Sequence, residues 1–272
     1  MIDLSKDAEK NPLQNVLMIL LLFIAMATLP TSQILKVFVK DGSLDFLGVY
    51  GIRIIFSLIF LFFIYSYGFK GVVFGKVSLK SLVLLLPLMV IAINNFPFYA
   101  VFVDKTVVYV AEKFPLQYLL VALFVAVAEE FAFRALILPL ITIKFSQKDV
   151  KFKPFLVIVV ASAIFSAVHL INLFSGTAVG VVVVQLGYSF LLGAGLCLLM
   201  IKTRNVILPI LVHFIYNAGG ALIEYGLAFG WAWTVGQIVL TAVVAVIMGI
   251  IVASMIFSLK NEDLDAFMQN KR

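Results

Sequence analysis

The chain has few of the residues that stabilise a protein by cross-linking or by contact with water. Cys197 is the only cysteine, so the sequence excludes an internal disulfide framework and a cysteine-based metal site. Charged residues make up only 12% of the 272. A soluble domain needs a wetter exterior, because much of its surface must face water. No polar stretch is long enough to form a separate soluble domain.

Apolar residues dominate instead. They make up 64% of the chain, against roughly 45–50% in soluble domains. The lipid bilayer is the natural surrounding for such a composition. The net charge of +6 comes from basic residues spread over short connectors between apolar runs, so positive-inside topology explains it better than nucleic-acid binding does. We therefore expect residues 1–272 to form a single membrane domain that binds no nucleic acid.

Several apolar stretches approach the roughly 20 residues that a helix needs to cross a bilayer. They are Leu13–Thr28, Phe46–Tyr67, Leu82–Val103, Pro115–Ile143, Pro154–Phe174, Val179–Ile201, Val206–Tyr225 and Val235–Phe257. The pattern predicts an all-α, multi-pass transmembrane helix bundle of about eight spans. Pro87, Asn94, Asn95 and Pro97 interrupt the third stretch, which we expect to be kinked or partly re-entrant.

The distribution of Lys and Arg predicts the orientation of the bundle. With about eight spans and the N-terminus inside, the inside segments hold fourteen basic residues and the outside segments four. Cytoplasmic segments are the ones enriched in these residues, so both termini are predicted to be cytoplasmic. Acidic residues precede the first apolar run, which favours an uncleaved helix over a removed signal peptide. We expect a multi-pass protein of the cell membrane, and of the prokaryotic plasma membrane in particular.

A small set of ionisable and polar residues lies within these apolar segments. A charge at this depth costs roughly 2.5–3.5 kcal/mol on insertion scales, so each one is a candidate functional group. Both histidines of the chain are among them. The candidate site residues are Glu129, Glu130, Arg134, His169, His213 and Asn217.

Helical spacing indicates how these groups pair within each segment. Glu130 and Arg134 are four residues apart with the acid first, which favours an ion pair along one face. Glu129 is rotated by about 100° from Glu130, so it is left for a histidine on a neighbouring helix. His213 and Asn217 also share one face. A carboxylate beside an imidazole can activate water, and two donors can hold an oxyanion. The alternatives are a salt bridge that locks the bundle and histidines with structural hydrogen bonds.

The ordered combination resembles a known family. Glu129-Glu130-x-x-x-Arg134, Phe165-x-x-x-His169 and His213-x-x-x-Asn217 are similar to the signature of the CAAX-protease and bacteriocin-processing family of intramembrane endopeptidases. Its eukaryotic and archaeal members remove the last three residues of prenylated proteins. The resemblance runs from about Gln117 to Asn217, within a motif-bearing core of about residues 115–225.

The resemblance implies roles for the six residues. Glu129 would be the general base that activates water, assisted by His169. His213 and Asn217 would form the oxyanion hole, and Glu130 and Arg134 would support the acid cluster. The family has also been described as metal-dependent, so zinc or another divalent metal stays an alternative, held by Glu130, His169 and His213. No His-Glu-x-x-His helix is present, and we favour the metal-free arrangement.

The leading hypothesis is an intramembrane protease that hydrolyses a peptide bond near the membrane. Its substrate is a peptide or protein, with a prenylated C-terminus, a leader or bacteriocin-like peptide and a membrane segment as the alternatives. The rival hypothesis is a non-proteolytic membrane protein that binds a ligand in the same cavity, for bacteriocin immunity or sensor regulation. Along the predicted spans, Glu129 lies near mid-membrane and His169 nearer the outer end. Their predicted contact depends on the register of the two helices.

Overall fold

The computed structural model describes residues 4–29, 45–109, 116–147, 153–220, 222, 228–230 and 232–269. Most of these residues are helical. In chain order the helices are α1 (Leu4–Lys10), α2 (Pro12–Thr28), α3 (Asp45–Ser66), α4 (Lys70–Val73), α5 (Leu79–Asn94), α6 (Phe98–Phe102), α7 (Leu116–Glu130), α8 (Leu138–Ser146), α9 (Lys153–Ala167), α10 (Val179–Thr203), α11 (Ile207–Gly220), α12 (Val235–Phe257) and α13 (Asn261–Met268). The predicted all-α class is confirmed.

Two short strands accompany the helices. Strands β1 (Val107–Tyr109) and β2 (Ala228–Gly230) pair in antiparallel fashion, with Val108 opposite Phe229. These strands could not be predicted from the sequence, because three residues are too few to show an alternating pattern.

Fewer helices than predicted have the length and apolarity of a membrane span. Among the described residues three qualify, namely Lys153–Leu173, Val179–Thr203 and Val235–Phe257. Helices α1 and α2 meet at an angle of 110° and add a fourth if they form one broken span. Gly51–Ser66, Ser81–Asn94 and Ile207–Gly220 are apolar but shorter. The structure thus supports a membrane protein with three to four candidate spans, and the larger predicted number stays a prediction.

The predicted interruption of the third apolar stretch is present. Helix α5 ends at Asn94, and α6 begins after Pro97, which has no N–H group to continue the helical hydrogen bonds. Pro87 lies within α5 without ending it. The side chains of Asn94 and Asn95 donate hydrogen bonds to the backbone oxygens of Thr241 and Tyr216, at 3.1 and 2.8 Å. The chain at the end of α5 is therefore hydrogen-bonded to both α11 and α12.

The centre of the molecule is one continuous helical run with an irregular middle. Helix α7 leads into a π-helical segment, Phe131–Ile137, which continues into α8. Helices α3 and α11 pack against α7, and α9 packs along α10. Fully buried alanines on this run, such as Ala126 and Ala132, let the neighbouring helices approach closely. A π-helical turn inside an α-helix is frequent at functional sites.

The start of α11 is fastened to the loop after α4. The Asn205 side chain accepts a hydrogen bond from the Ile207 N–H at 3.0 Å and donates one to the Gly75 carbonyl at 2.5 Å. The Gly75 N–H donates to the Arg204 carbonyl at 2.6 Å, and a Cβ at Gly75 would lie only 2.8 Å from that oxygen. Glycine is thus required for this close approach. These contacts fix the helix that carries His213.

Candidate active site

A buried ion pair forms the base of the candidate site. Glu130 ends α7, and Arg134 follows one turn later in the π-helical segment. Glu130 Oε1 lies 2.9 Å from Arg134 Nη1, and both side chains are almost completely buried. The pairing that was predicted from their spacing is therefore present. An unpaired charge at this position would be costly, because burial removes its hydration.

His213 lies between the two glutamates. Its Nδ1–H donates to Glu130 Oε1 at 2.7 Å, and its Nε2 lies 3.7 Å from Glu129 Oε2. The side chain of Glu129 is 15% exposed, whereas that of Glu130 is 0% exposed. The two carboxylates thus differ in their exposure to solvent. Glu130 is enclosed, whereas Glu129 can contact a ligand.

The Phe165 ring packs at the centre of this cluster. The Arg134 guanidinium lies over the ring, 4.1 Å from its centroid. The His169 and His213 imidazoles meet the same ring edge-on, at centroid distances of 5.2 and 5.9 Å. Gly193 of α10 lies beside it, and a Cβ there would be 3.1 Å from Phe165 Cδ1. Helix α10 can approach the ion pair this closely because residue 193 has no side chain.

His169 lies in a 3₁₀ segment, Val168–Leu173, that extends α9. Its Nδ1 is 3.0 Å from the Phe165 carbonyl oxygen. Among the described residues, Glu129 and His169 form no ion pair within 4.0 Å. The histidine beside Glu129 is His213. The predicted direct contact between Glu129 and His169 is therefore replaced by one with His213. Helix packing is the reason, since α11 packs directly against α7.

A cavity of about 1200 Å³ opens beside these residues, and most of its wall is apolar. Glu129, His169, His213 and Asn217 line it. Glu130 and Arg134 are not part of this lining and lie behind it. The six predicted residues therefore divide into four that face the cavity and two that support them from the protein interior.

Asn217 faces the cavity one helical turn after His213, near the end of α11. Two side chains from other elements bond to carbonyl oxygens of that last turn. Asn95 donates to the Tyr216 oxygen, and the Tyr118 hydroxyl donates to the Ala218 oxygen. Tyr118 belongs to α7, the helix that ends in the two glutamates. Its hydrogen bond therefore links α7 to α11, which carries His213 and Asn217.

Tyr118 and several other polar residues of the cavity wall were not predicted from the sequence to have a role. Among these are Asn172, Gln185 and Ser189. Polar residues within apolar segments were the available signal. Asn94 and Asn95 carried that signal, and both line the cavity.

The alternative metal set of Glu130, His169 and His213 does not fit this geometry. Glu130 Oε1 is already bonded to Arg134 and His213, and His169 Nδ1 is close to the Phe165 carbonyl. Within the described ranges, no group of three or more His, Cys, Asp or Glu side chains is arranged to hold a metal ion.

Comparison with protein families agrees with the motifs. Residues 111–219 match the model of a family described as type II CAAX prenyl endopeptidase, Rce1-like. This match covers all six candidate site residues and confirms the family resemblance. No curated protein and no solved structure matches the chain.

Proposed function

We propose that the protein is an intramembrane endopeptidase that uses Glu129 to activate water for hydrolysis of a peptide bond. One observation carries the proposal. His213 is bonded to a buried glutamate on one side and lies 3.7 Å from the cavity-facing Glu129 on the other. This arrangement belongs to a segment that matches the Rce1-like family, for which protease activity is expected.

In the proposed mechanism Glu130 and Arg134 orient His213. A carboxylate can only accept a hydrogen bond, so His213 Nδ1 carries the proton in its contact with Glu130. Its Nε2 is then directed towards Glu129 and the cavity. The guanidinium lies 2.9 Å from Glu130 Oε1 and compensates the charge of this buried side chain, which holds it in place beside His213.

Glu129 acts as the general base. It removes a proton from water while the water oxygen attacks the carbonyl carbon of the scissile peptide bond. His169 assists from the same cavity. A backbone carbonyl only accepts, so the 3.0 Å contact with Phe165 places the proton of neutral His169 on Nδ1. Nε2 of His169 is then free to accept a hydrogen bond from the attacking water.

His213 and Asn217 stabilise the oxyanion that forms on the attacked carbonyl. His213 donates through Nε2 in its imidazolium form, with Glu130 Oε1 at 2.7 Å from Nδ1 and Glu129 Oε2 at 3.7 Å from Nε2. The side-chain amide of Asn217 supplies the second donor. Glu129 then passes its proton to the leaving nitrogen as the C–N bond breaks. The products are a carboxylic acid and an amine.

The membrane arrangement completes the proposal. About eight spans would be formed, including the shorter apolar helices and the central run from Leu116 to Ser146, with both termini in the cytoplasm. The excess of basic residues in the inside segments supports this orientation. Lys36, Lys40 and Lys113, three of the four outside basic residues, lie outside the described residues.

Product analysis with purified protein in liposomes tests the proposal. Candidate peptides with a prenylated C-terminus, a leader sequence or a membrane segment are incubated with the wild type and with Glu129→Ala and His213→Ala variants. Mass spectrometry should show one cleavage by the wild type and none by either variant. Equal product from a folded Glu129→Ala protein would exclude the proposed site. A specific ligand bound without cleavage would favour the binding hypothesis.

A further inference from the structure

A pair of side-chain amides lies on the cavity wall beside His169. Asn172 Nδ2 donates a hydrogen bond to Gln185 Oε1 at 2.7 Å. Asn172 and His169 are three residues apart in the 3₁₀ segment, and such a helix has three residues per turn, so both project from the same side. The two amides line the same cavity as Glu129 and His213.

The backbone around this amide pair is held in position by two further bonds. Ser166 Oγ donates to the Leu186 carbonyl at 2.7 Å, which joins α9 to α10. Ser189 Oγ donates to the Gln185 carbonyl at 2.6 Å, one turn along α10. The 3₁₀ segment and α10 therefore present the two amides in a fixed relation.

The amide pair retains hydrogen-bonding capacity that faces the cavity. Its internal bond uses one donor and one acceptor, and leaves Asn172 Oδ1 as an acceptor and Gln185 Nε2 as a donor. Across the ranges that the structure describes, neither atom forms another hydrogen bond.

A peptide in this cavity needs such groups. The wall is mainly apolar, so substrate N–H and C=O groups lose water as they enter and must find partners. An extended chain usually meets this need by pairing with a strand edge. Val107 and Val108 of β1 and Gly230 of β2 are not among the residues that line the cavity.

We infer that Asn172 and Gln185 bind the main chain of an extended substrate next to the scissile bond, with Asn172 Oδ1 accepting from an N–H and Gln185 Nε2 donating to a C=O. This inference rests on the proposed protease function and names how that site holds its substrate. Binding through the main chain selects substrates with an extended backbone. It does not depend on the side chains of the substrate, which are free to vary.

The inference is tested with peptides in which one amide at a time is replaced by an ester. An ester has no N–H and its carbonyl is a weaker acceptor. For the wild type, the ester that removes the N–H bound by Asn172 should show roughly a 3- to 10-fold lower kcat/KM, the value of one ordinary hydrogen bond. The ester that weakens the carbonyl bound by Gln185 should show a smaller loss. The first loss should shrink towards onefold in Asn172→Leu, and the second should shrink in Gln185→Glu.

Gln185→Glu separates substrate binding from a structural role. Its carboxylate still accepts the hydrogen bond from Asn172 Nδ2 but cannot donate to a substrate carbonyl. Asn94→Leu is the matched control, because Asn94 also lines the cavity and its amide bonds to the Thr241 oxygen on α12. Its ester pattern should equal that of the wild type.

The outcomes distinguish this inference from the function on which it rests. Equal ester losses at every position, or an unchanged pattern in both amide variants, would overturn the main-chain assignment while cleavage itself continues. A uniform fall in kcat/KM for all peptides, with the ester pattern preserved, would assign the pair a structural role only. Absence of cleavage by the wild type would overturn the proposed function and the inference together.

Discussion

Replacement of Arg134 by methionine tests whether the buried ion pair stabilises the site. The change keeps an unbranched side chain that fills most of the arginine stem, but it removes the charge that faces Glu130 at 2.9 Å. Glu130 keeps only the hydrogen bond from His213, because its Oε2 has no partner within the described residues. The cation–π contact with Phe165, at 4.1 Å, is lost as well.

The expected loss of stability is large because the pair is enclosed. Removal of one member of a buried pair costs about 3–5 kcal/mol, since the other charge is left without compensation. Neutralising both members with Glu130→Gln and Arg134→Met should cost clearly less than the sum of the single changes. A coupling of about 1–3 kcal/mol is expected for two charges in direct contact.

These changes are measured as differences in the free energy of unfolding in detergent micelles. Unfolding is monitored through the loss of the helical signal. Lys202→Met provides the control, because the Lys202–Asp263 pair is at a similar distance, 2.8 Å, but exposed. Its loss should cost less than about 1 kcal/mol. If Arg134→Met costs no more than Lys202→Met, or if the double variant is additive, the buried pair does not stabilise the site as argued.

Three further changes test other parts of the structure. Gly193→Ala places a Cβ 3.1 Å from Phe165 Cδ1 and should lower the free energy of unfolding by about 1–3 kcal/mol, with a parallel loss of cleavage. Asn205→Ala removes the bonds that begin α11 and should cost about 2 kcal/mol in the same unfolding assay. Burial raises the pKa of Asp263, but hydrogen bonds from Lys202 and a backbone N–H outweigh it and hold the pKa below 3.8. The stabilisation from Asp263 should therefore be complete above pH 3.8 and disappear as the pH falls below it, and unfolding curves of Asp263→Asn should lack this component.

Each of these expectations has an outcome that would contradict it. Unchanged stability of Gly193→Ala would show that α10 does not press on the Phe165 ring. Full stability of Asn205→Ala would mean that the start of α11 is held by other contacts. An identical pH dependence in the wild type and Asp263→Asn would remove the assigned role of that carboxylate.

Sequence patterns could predict contacts within a helix, but not contacts between helices. The Glu130–Arg134 pair follows from a spacing of four residues, and the structure has it. The partner of Glu129 was predicted to be a histidine on another helix, and His169 was chosen, whereas the structure places His213 there. That choice depends on which helices pack together, and helical periodicity carries no information about it.

The π-helical segment explains a second limit of prediction. Phe131–Ile137 departs from 3.6 residues per turn directly after the two glutamates. Rotations counted along a regular helix therefore become less accurate with each residue of this segment, although the four-residue spacing still brings Arg134 beside Glu130. The break after Asn94 was predictable by contrast, because Pro97 carries a local constraint that is visible in the sequence.

The kcat of a Glu129→Gln variant tests the central claim most directly. Glutamine keeps the shape of the side chain beside His213 and in the cavity, but it cannot take a proton from water. A peptide that the wild type cleaves should be hydrolysed at least roughly 100-fold more slowly, as expected for loss of a general base. Substrate binding and the free energy of unfolding should stay close to those of the wild type. A folded variant that cleaves at the wild-type rate would contradict the proposal that Glu129 activates water.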